Sequence, residues 1–151
     1  MKTSISRFLL AIALQAVLFG STIASAQVDP TKVLVGVWEG TVAVNHDNER
    51  VIVIKSVKPK EDGSGWTAEG QYGLTRDRLG KMTYNVSMQG NDIIVEFVVA
   101  RTSNPGRLKL VGDKKLDGQM NFVGDAGKIV NRSMTLEKVE SPPLDVAGSG
   151  N

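Results

Sequence analysis

The side chains best suited to chemistry are few in this chain, and they form no recognisable catalytic or metal-binding set. His46 is the only histidine, and it lies in the turn sequence NHDNE beside Asp47 and Glu49. One histidine and no cysteine cannot complete the usual zinc ligand sets, and the lack of cysteine excludes thiol catalysis. The sequence also has no nucleophile elbow, phosphate-binding loop or calcium loop. We therefore expect no enzyme activity, no catalytic residue, no metal site and no cofactor.

A second group of residues is suited to binding, because aromatic and basic side chains recur at alternate positions of apolar segments. Alternate positions of a strand face the same side of a sheet. The residues that we expect to line an apolar interior and contact a ligand are Trp66, Tyr72, Tyr84, Phe97, Phe122 and Arg132. Several methionines share this face, and methionine adapts its shape to what it contacts. The same side chains would equally suit a core that fills itself.

Strands must position these residues, since apolar and polar residues alternate along the chain and helical spacing is absent. Eight strands are predicted, at about residues 34–45, 50–58, 65–73, 81–88, 92–101, 106–111, 115–123 and 129–139. Short turn sequences separate them, so sequential strands should be antiparallel. A meander of this size can remove its edges by closing on itself. The prediction is an all-β chain with a single antiparallel up-and-down β-barrel. The alternative, a two-sheet sandwich, needs a long crossover that the connections do not offer.

Two segments are apolar on both faces, namely VIVI at 51–54 and DIIVEFVVA at 92–100. If the barrel interior is apolar, Ile94 and Val98 point outward. Strands that are apolar on both sides indicate covered surface. The cover is either a terminal segment of this chain or a protein partner or second copy bound through the apolar outer strands.

The chain divides into three parts. Residues 1–26 carry Lys2 and Arg7, then an apolar run, then Ala24-Ser25-Ala26, which is the pattern of a cleaved signal peptide. Residues 27–140 hold the predicted barrel domain, and residues 141–151 are expected to be a disordered tail. We therefore expect the protein in the periplasm or outside the cell, with no membrane insertion after cleavage.

The net charge changes when the leader is removed. The 18 basic residues of the whole chain fall by two to 16, which equals the 16 acidic residues, none of which lies in the leader. A balanced chain gives no overall electrostatic reason to expect nucleic acid or an anionic membrane as a partner.

The first predicted strand opens with Gly36-Val37-Trp38. A G-x-W sequence on the first strand of a small antiparallel barrel resembles the calycin superfamily, which includes lipocalins, fatty-acid-binding proteins and avidins. The resemblance implies that the tryptophan plugs one end of the barrel while a basic side chain of the last strand packs across its ring. Arg132 has the inward position for that role, and Gly36 and Gly40 would leave room for it. Arg132 could instead anchor a ligand carboxylate.

These observations favour a binding function. The preferred hypothesis is a periplasmic or secreted binding protein that holds a small apolar molecule in the barrel interior. The alternative is a protein-interaction or structural β-domain with a self-filled core and no small-molecule ligand. An eight-stranded barrel is just wide enough for either arrangement.

Overall fold

The computed structural model describes residues 28–123 and 127–140. The predicted signal peptide and the predicted tail at 141–151 lie outside the described residues. The elements are α1 (Pro30–Val33), β1 (Gly36–Val42), β2 (Glu49–Pro59), β3 (Trp66–Gly73), β4 (Leu79–Gln89), β5 (Asp92–Val99), β6 (Asn104–Val111), β7 (Lys115–Val123) and β8 (Ile129–Val139).

The eight strands form one closed barrel in sequence order. Each strand pairs antiparallel with the next, and β8 returns to pair antiparallel with β1. The predicted all-β, up-and-down barrel is therefore confirmed, and each strand matches its predicted segment to within a few residues. The calycin-like assignment is compatible with this topology.

A short helix that the alternation did not predict precedes the barrel and delays the start of β1 to Gly36. Asp29 caps it, because its carboxylate accepts a 3.0 Å hydrogen bond from the Thr31 amide, and Pro30 occupies the first turn. Both features are typical of a helix start. The helix marks one end of the barrel.

The alternating strand directions divide the connections between two ends. At the helix end lie α1 and the connections 60–65, 90–91 and 112–114. At the opposite end, which we call the far end, lie the connections 43–48, 74–78 and 100–103 and the one that leads into β8. The position of each candidate site residue can therefore be given relative to these two ends.

The middle of the barrel is filled by its own side chains. Trp38, Ile52, Tyr84, Leu108, Leu116, Met134 and Leu136 each have a relative accessible surface of 0%. A space as large as a water molecule beside any of them would give that residue accessible surface. The strands thus enclose a packed apolar core, as an eight-stranded barrel permits.

Outward-facing apolar residues are partly covered by their neighbours. Ile94 and Val98 alternate with the core residues of β5 and so point outward, as predicted. On the opposite side of the barrel, three outward valines form a second buried cluster that packs with two partly buried residues; its members are Val37, Val51, Val53, Leu79 and Val139. The outward residues of VIVI are therefore packed against adjacent strands of the same chain.

Candidate functional site

Trp38 plugs the helix end of the barrel. Its indole nitrogen donates a 2.9 Å hydrogen bond to the carbonyl oxygen of Leu34, just past the end of α1. Directly opposite on β8 lies Lys138, whose ammonium nitrogen is 5.3 Å from the centre of the Trp38 ring and donates a 2.7 Å bond to the Val33 carbonyl. A cation over an aromatic face is stabilised by the ring quadrupole. Partial burial lowers the pKa of Lys138, and Asp113 opposes that shift.

The prediction that Arg132 packs across Trp38 is wrong. Arg132 pairs with Met120 and lies six positions from Lys138 on β8, roughly 20 Å at the rise of a strand. The β1–β8 ladder ends at Val42 and Met134, so Arg132 extends past the end of β1 and its side chain is exposed. Alternation identifies the face of a strand but not the height along it, and the two basic residues share a face.

Glycine makes the plug possible. A Cβ on Gly36 would lie 2.7 Å from the Cε atom of Lys138. Gly36 also has a backbone φ of 141°, which residues other than glycine rarely adopt. The expectation that this glycine leaves room for a crossing basic side chain is therefore correct in kind, with lysine in place of arginine.

Three of the predicted ligand-binding residues meet inside the barrel as a packed aromatic cluster. The ring centres of Tyr72 and Phe97 are 5.4 Å apart, and those of Tyr84 and Phe97 are 5.7 Å apart. The Tyr84 hydroxyl donates a 2.6 Å bond to the Gln71 carbonyl. Tyr84 is 0% exposed and Phe97 is 4% exposed, so neither presents a surface that a ligand could contact in this arrangement.

The other three predicted residues are not brought together. Trp66 begins β3 at the helix end and pairs with Pro59 and Val86. Phe122 lies near the far end, half-buried, and Arg132 is exposed at the same end. The candidate residues thus divide into a buried cluster, one residue at the helix end and two at the far end.

Sequence reasoning missed Arg50, a buried arginine at the far end. It pairs with Gly40 and faces inward together with Ile52, and only 6% of its surface is exposed. Its Nη1 atom donates to the carbonyl oxygens of Asp47 and Glu49, while its Nε atom has no hydrogen-bond partner among the described residues. The signal was present in ERVIVI, where Arg50 has the same position in the alternation as the two buried isoleucines.

No carboxylate of the described residues is paired with the charge of Arg50. A buried charge without a partner costs several kcal/mol. Arg50 also lies beside Tyr72, where its charge opposes the rise in the pKa of the hydroxyl that burial causes. The Tyr72 hydroxyl donates to the sulfur of Met120 at 3.3 Å. Arg50 is therefore the most unusual polar group in the described interior.

The two tyrosines give a direct test of this packing at alkaline pH. Burial raises the pKa of Tyr84 far above its usual value and also raises that of Tyr72. Because unfolded tyrosine ionises at about pH 10, the unfolded chain loses these protons first. The stability that the two tyrosines contribute is therefore complete below that pH and falls as the pH rises above it. These are the only tyrosines of the chain. Tyrosinate absorbance should therefore appear together with the loss of circular dichroism, and its appearance in the folded protein would contradict the packing.

A groove of about 1160 Å³ lies on the outside of the barrel rather than within it. Its lining comes mainly from the outward positions of β4 to β7, with some residues of β3 and β8. Amide and charged side chains dominate the groove, and its two cations are both paired, Arg107 with Glu96 and Lys109 with Asp92.

Residues 28–123 and 127–140 contain no group of three histidine, aspartate or glutamate side chains placed to hold a metal ion. Over the same ranges, no helix has the length and apolar character needed to span a membrane.

No family model, curated protein or solved structure matches this chain. The resemblance to calycins thus rests on the G-x-W opening, the basic side chain that crosses the tryptophan, and the closed eight-stranded meander.

Proposed function

We propose that this protein is a periplasmic or extracellular binding protein that takes up an amphiphilic molecule with an anionic group at the far end of the barrel. The observation that carries the proposal is the buried guanidinium of Arg50, which lacks a carboxylate partner among the described residues and keeps one N–H unbonded. A guanidinium presents its donors in a planar fork that matches a carboxylate or a phosphate.

The apolar part of the ligand would lie at the mouth of the far end and not in the filled middle. Tyr72 and Phe122 are half-buried there, and Val130 pairs with Phe122 on the inward face. Beneath them, Tyr84 and Phe97 form a closed floor. Arg132 is exposed at the same end and supplies a second cation for the head group.

A ligand that reaches Arg50 must compete with backbone carbonyls of the connection 43–48 and the start of β2. Nη1 now donates to two of these carbonyls. A carboxylate or phosphate attracts the guanidinium charge and can accept two of its N–H groups at once, which a neutral carbonyl does not do, so an anion can replace these bonds. Uptake would thus require a shift of this connection.

Competition between ligands with and without charge tests the proposal. A dansyl-labelled fatty acid serves as the probe, and dodecanoate, dodecyl phosphate and methyl dodecanoate are the competitors. We expect the two anions to displace the probe at least ~10-fold better than the ester, because a charge-assisted hydrogen bond contributes about 1.5–3 kcal/mol. Arg50→Gln should remove this preference.

Arg107→Gln is the matched control, because Arg107 lies on the outer face and pairs with Glu96. It should leave the preference for anions unchanged. If none of the three competitors displaces the probe, or if Arg50→Gln behaves like Arg107→Gln, the proposal fails.

The outer groove favours a second candidate, a protein-interaction domain whose core has no ligand. A partner seated there would contact Arg107 and Lys109. In that case the competition assay would be negative. Cross-linking in the host would then recover one partner from the native protein, and recovery would fall with Arg107→Gln but not with Arg50→Gln.

A further inference from the structure

The arginines of this protein are concentrated at the far end. Of the six arginines in the described ranges, Arg50, Arg76, Arg78, Arg101 and Arg132 lie there, and only Arg107 lies elsewhere. The described far-end connections contain four basic residues against two acidic ones, whereas the helix-end connections contain two against three. The overall balance of charge therefore conceals a positive end.

The most exposed aliphatic side chains lie at the same end. Ile129 is 71% exposed, Val123 is 66% exposed and Val98 is 55% exposed. Val123 ends β7 and pairs with Ile129, which begins β8, while Val98 is one residue from the end of β5. All three belong to the contiguous strands β5 to β8, so they occupy one side of the far end.

Basic residues lie within three positions of these aliphatic residues along the chain. We define the rim patch as Val98, Arg101, Val123, Lys128, Ile129 and Arg132. Arg101 follows β5, Lys128 precedes β8, and both are exposed. The sequence places one acidic residue in the adjoining connection, Asp125, which lies outside the described residues. Among the described residues, the rim patch thus combines three cations with three exposed aliphatic side chains.

We propose that the rim patch docks the barrel onto an anionic lipid bilayer. Aliphatic side chains can enter the boundary between head groups and acyl chains, while neighbouring basic side chains contact anionic head groups. Long basic side chains extend their charge to the head groups while their stems remain in contact with apolar surface. An anionic bilayer is a partner that uses both the positive charge and the exposed aliphatic surface of the rim patch.

The composition of the rim patch argues against a second copy of the chain or a nucleic acid as its partner. Two copies that met through this patch would bring six basic residues together, and like charges at a contact are destabilising. A nucleic acid would use the cations but would leave Val123 and Ile129 without an apolar partner. The docking proposal goes beyond the proposed function and does not depend on it. The two sites share Arg132, but the rim patch excludes Arg50, the residue on which the proposed function rests.

Co-sedimentation with lipid vesicles tests the docking. The protein, isolated as its host processes it, is mixed with phosphatidylcholine vesicles that contain or lack phosphatidylglycerol. We expect clear binding only when the anionic lipid is present, with a decrease as salt is added. Each basic residue near an anionic surface contributes about 5-fold in affinity, so Arg101→Gln with Lys128→Gln should weaken binding roughly 25-fold. Val123→Ser with Ile129→Ser should weaken it by at least roughly 10-fold.

The control is Lys55→Gln with Lys58→Gln, which removes the same charge from two exposed lysines of β2. Lys58 lies at its helix end. Binding of this variant should change less than ~2-fold, since charges away from the membrane are screened. Equal loss in both charge variants, equal binding to neutral vesicles, or binding that survives loss of Val123 and Ile129 would overturn the proposal.

The experiments can overturn the ligand proposal and the docking proposal independently of each other. Vesicle binding that persists in Arg50→Gln supports the rim patch whether or not the dansyl probe is displaced. Displacement of the probe without any vesicle binding overturns the docking alone.

Discussion

The Gly40→Ala protein is expected to lose roughly 3 kcal/mol or more of its free energy of unfolding, because the added methyl group would prevent normal closure of the barrel. A Cβ at this position would lie 2.0 Å from the carbonyl oxygen of Thr135 and 2.9 Å from the Cα of Leu136. Both atoms belong to the backbone of β8, so no side-chain rotation can relieve the overlap. Strands β1 and β8 would have to separate where the barrel closes.

Thermal and urea unfolding followed by circular dichroism would measure this loss. For a domain of this size, we expect the melting temperature to fall by roughly 10 °C, or the protein to remain unfolded. Gly80→Ala is the control, because a Cβ there would lie no closer than 4.0 Å to any neighbouring atom, the Tyr72 carbonyl oxygen. That variant should be as stable as the parent or slightly more stable, since alanine restricts the unfolded chain. Equal melting temperatures for the two variants would contradict the close approach of β1 and β8.

The barrel was predictable because its determinants are local. Turn residues and short connections make neighbouring strands antiparallel, and alternation assigns each residue to a face. Neither depends on contacts between distant parts of the chain. The inward position of Arg132 follows from the same rule, and so does the outward position of Val98.

The position of a residue along the barrel axis was not predictable in the same way. Which residue of β8 lies opposite Trp38 depends on the offset between the first and last strands, whose paired residues are more than ninety positions apart in the sequence. A choice between Arg132 and Lys138 therefore required the closed structure, and alternation favoured both equally. The short helix was missed for a related reason, because its start depends on the cap from Asp29 and on Pro30 rather than on any repeat.

Two properties read from the sequence, the net charge and the apolar character of a strand face, did not locate the candidate sites. The equal numbers of acidic and basic residues do not reveal that arginines gather at the far end. Tyr84 and Phe97 looked suitable for a ligand because their face is apolar, but sequence cannot show that their neighbours leave them no accessible surface. Arg50 was the one interior group that the alternation could have identified, because it continues the buried face of β2.

Trp38→Ala should destabilise the protein by about 3–5 kcal/mol, the usual cost of removing a large buried aromatic side chain. Trp38 is 0% exposed, and its indole holds the Leu34 carbonyl. The substitution leaves that carbonyl without its donor and leaves Lys138 over an empty space. Urea unfolding followed by circular dichroism measures the change. Trp66→Ala is the matched control, since Trp66 is the other tryptophan and is only half-buried, and it should cost less than half as much.

A double-mutant cycle separates the plug from simple loss of volume. Lys138→Met keeps the length of the side chain but removes the charge over the ring and the hydrogen bond to Val33. If the cation and the indole stabilise each other, Lys138→Met should cost about 0.5–2 kcal/mol less in the Trp38→Ala background than in the parent, because the ring contact is already gone. Purely additive costs would mean that Lys138 acts only through the Val33 carbonyl. A Trp66→Ala protein as unstable as Trp38→Ala would show that the Trp38 plug has no special role in holding the barrel closed.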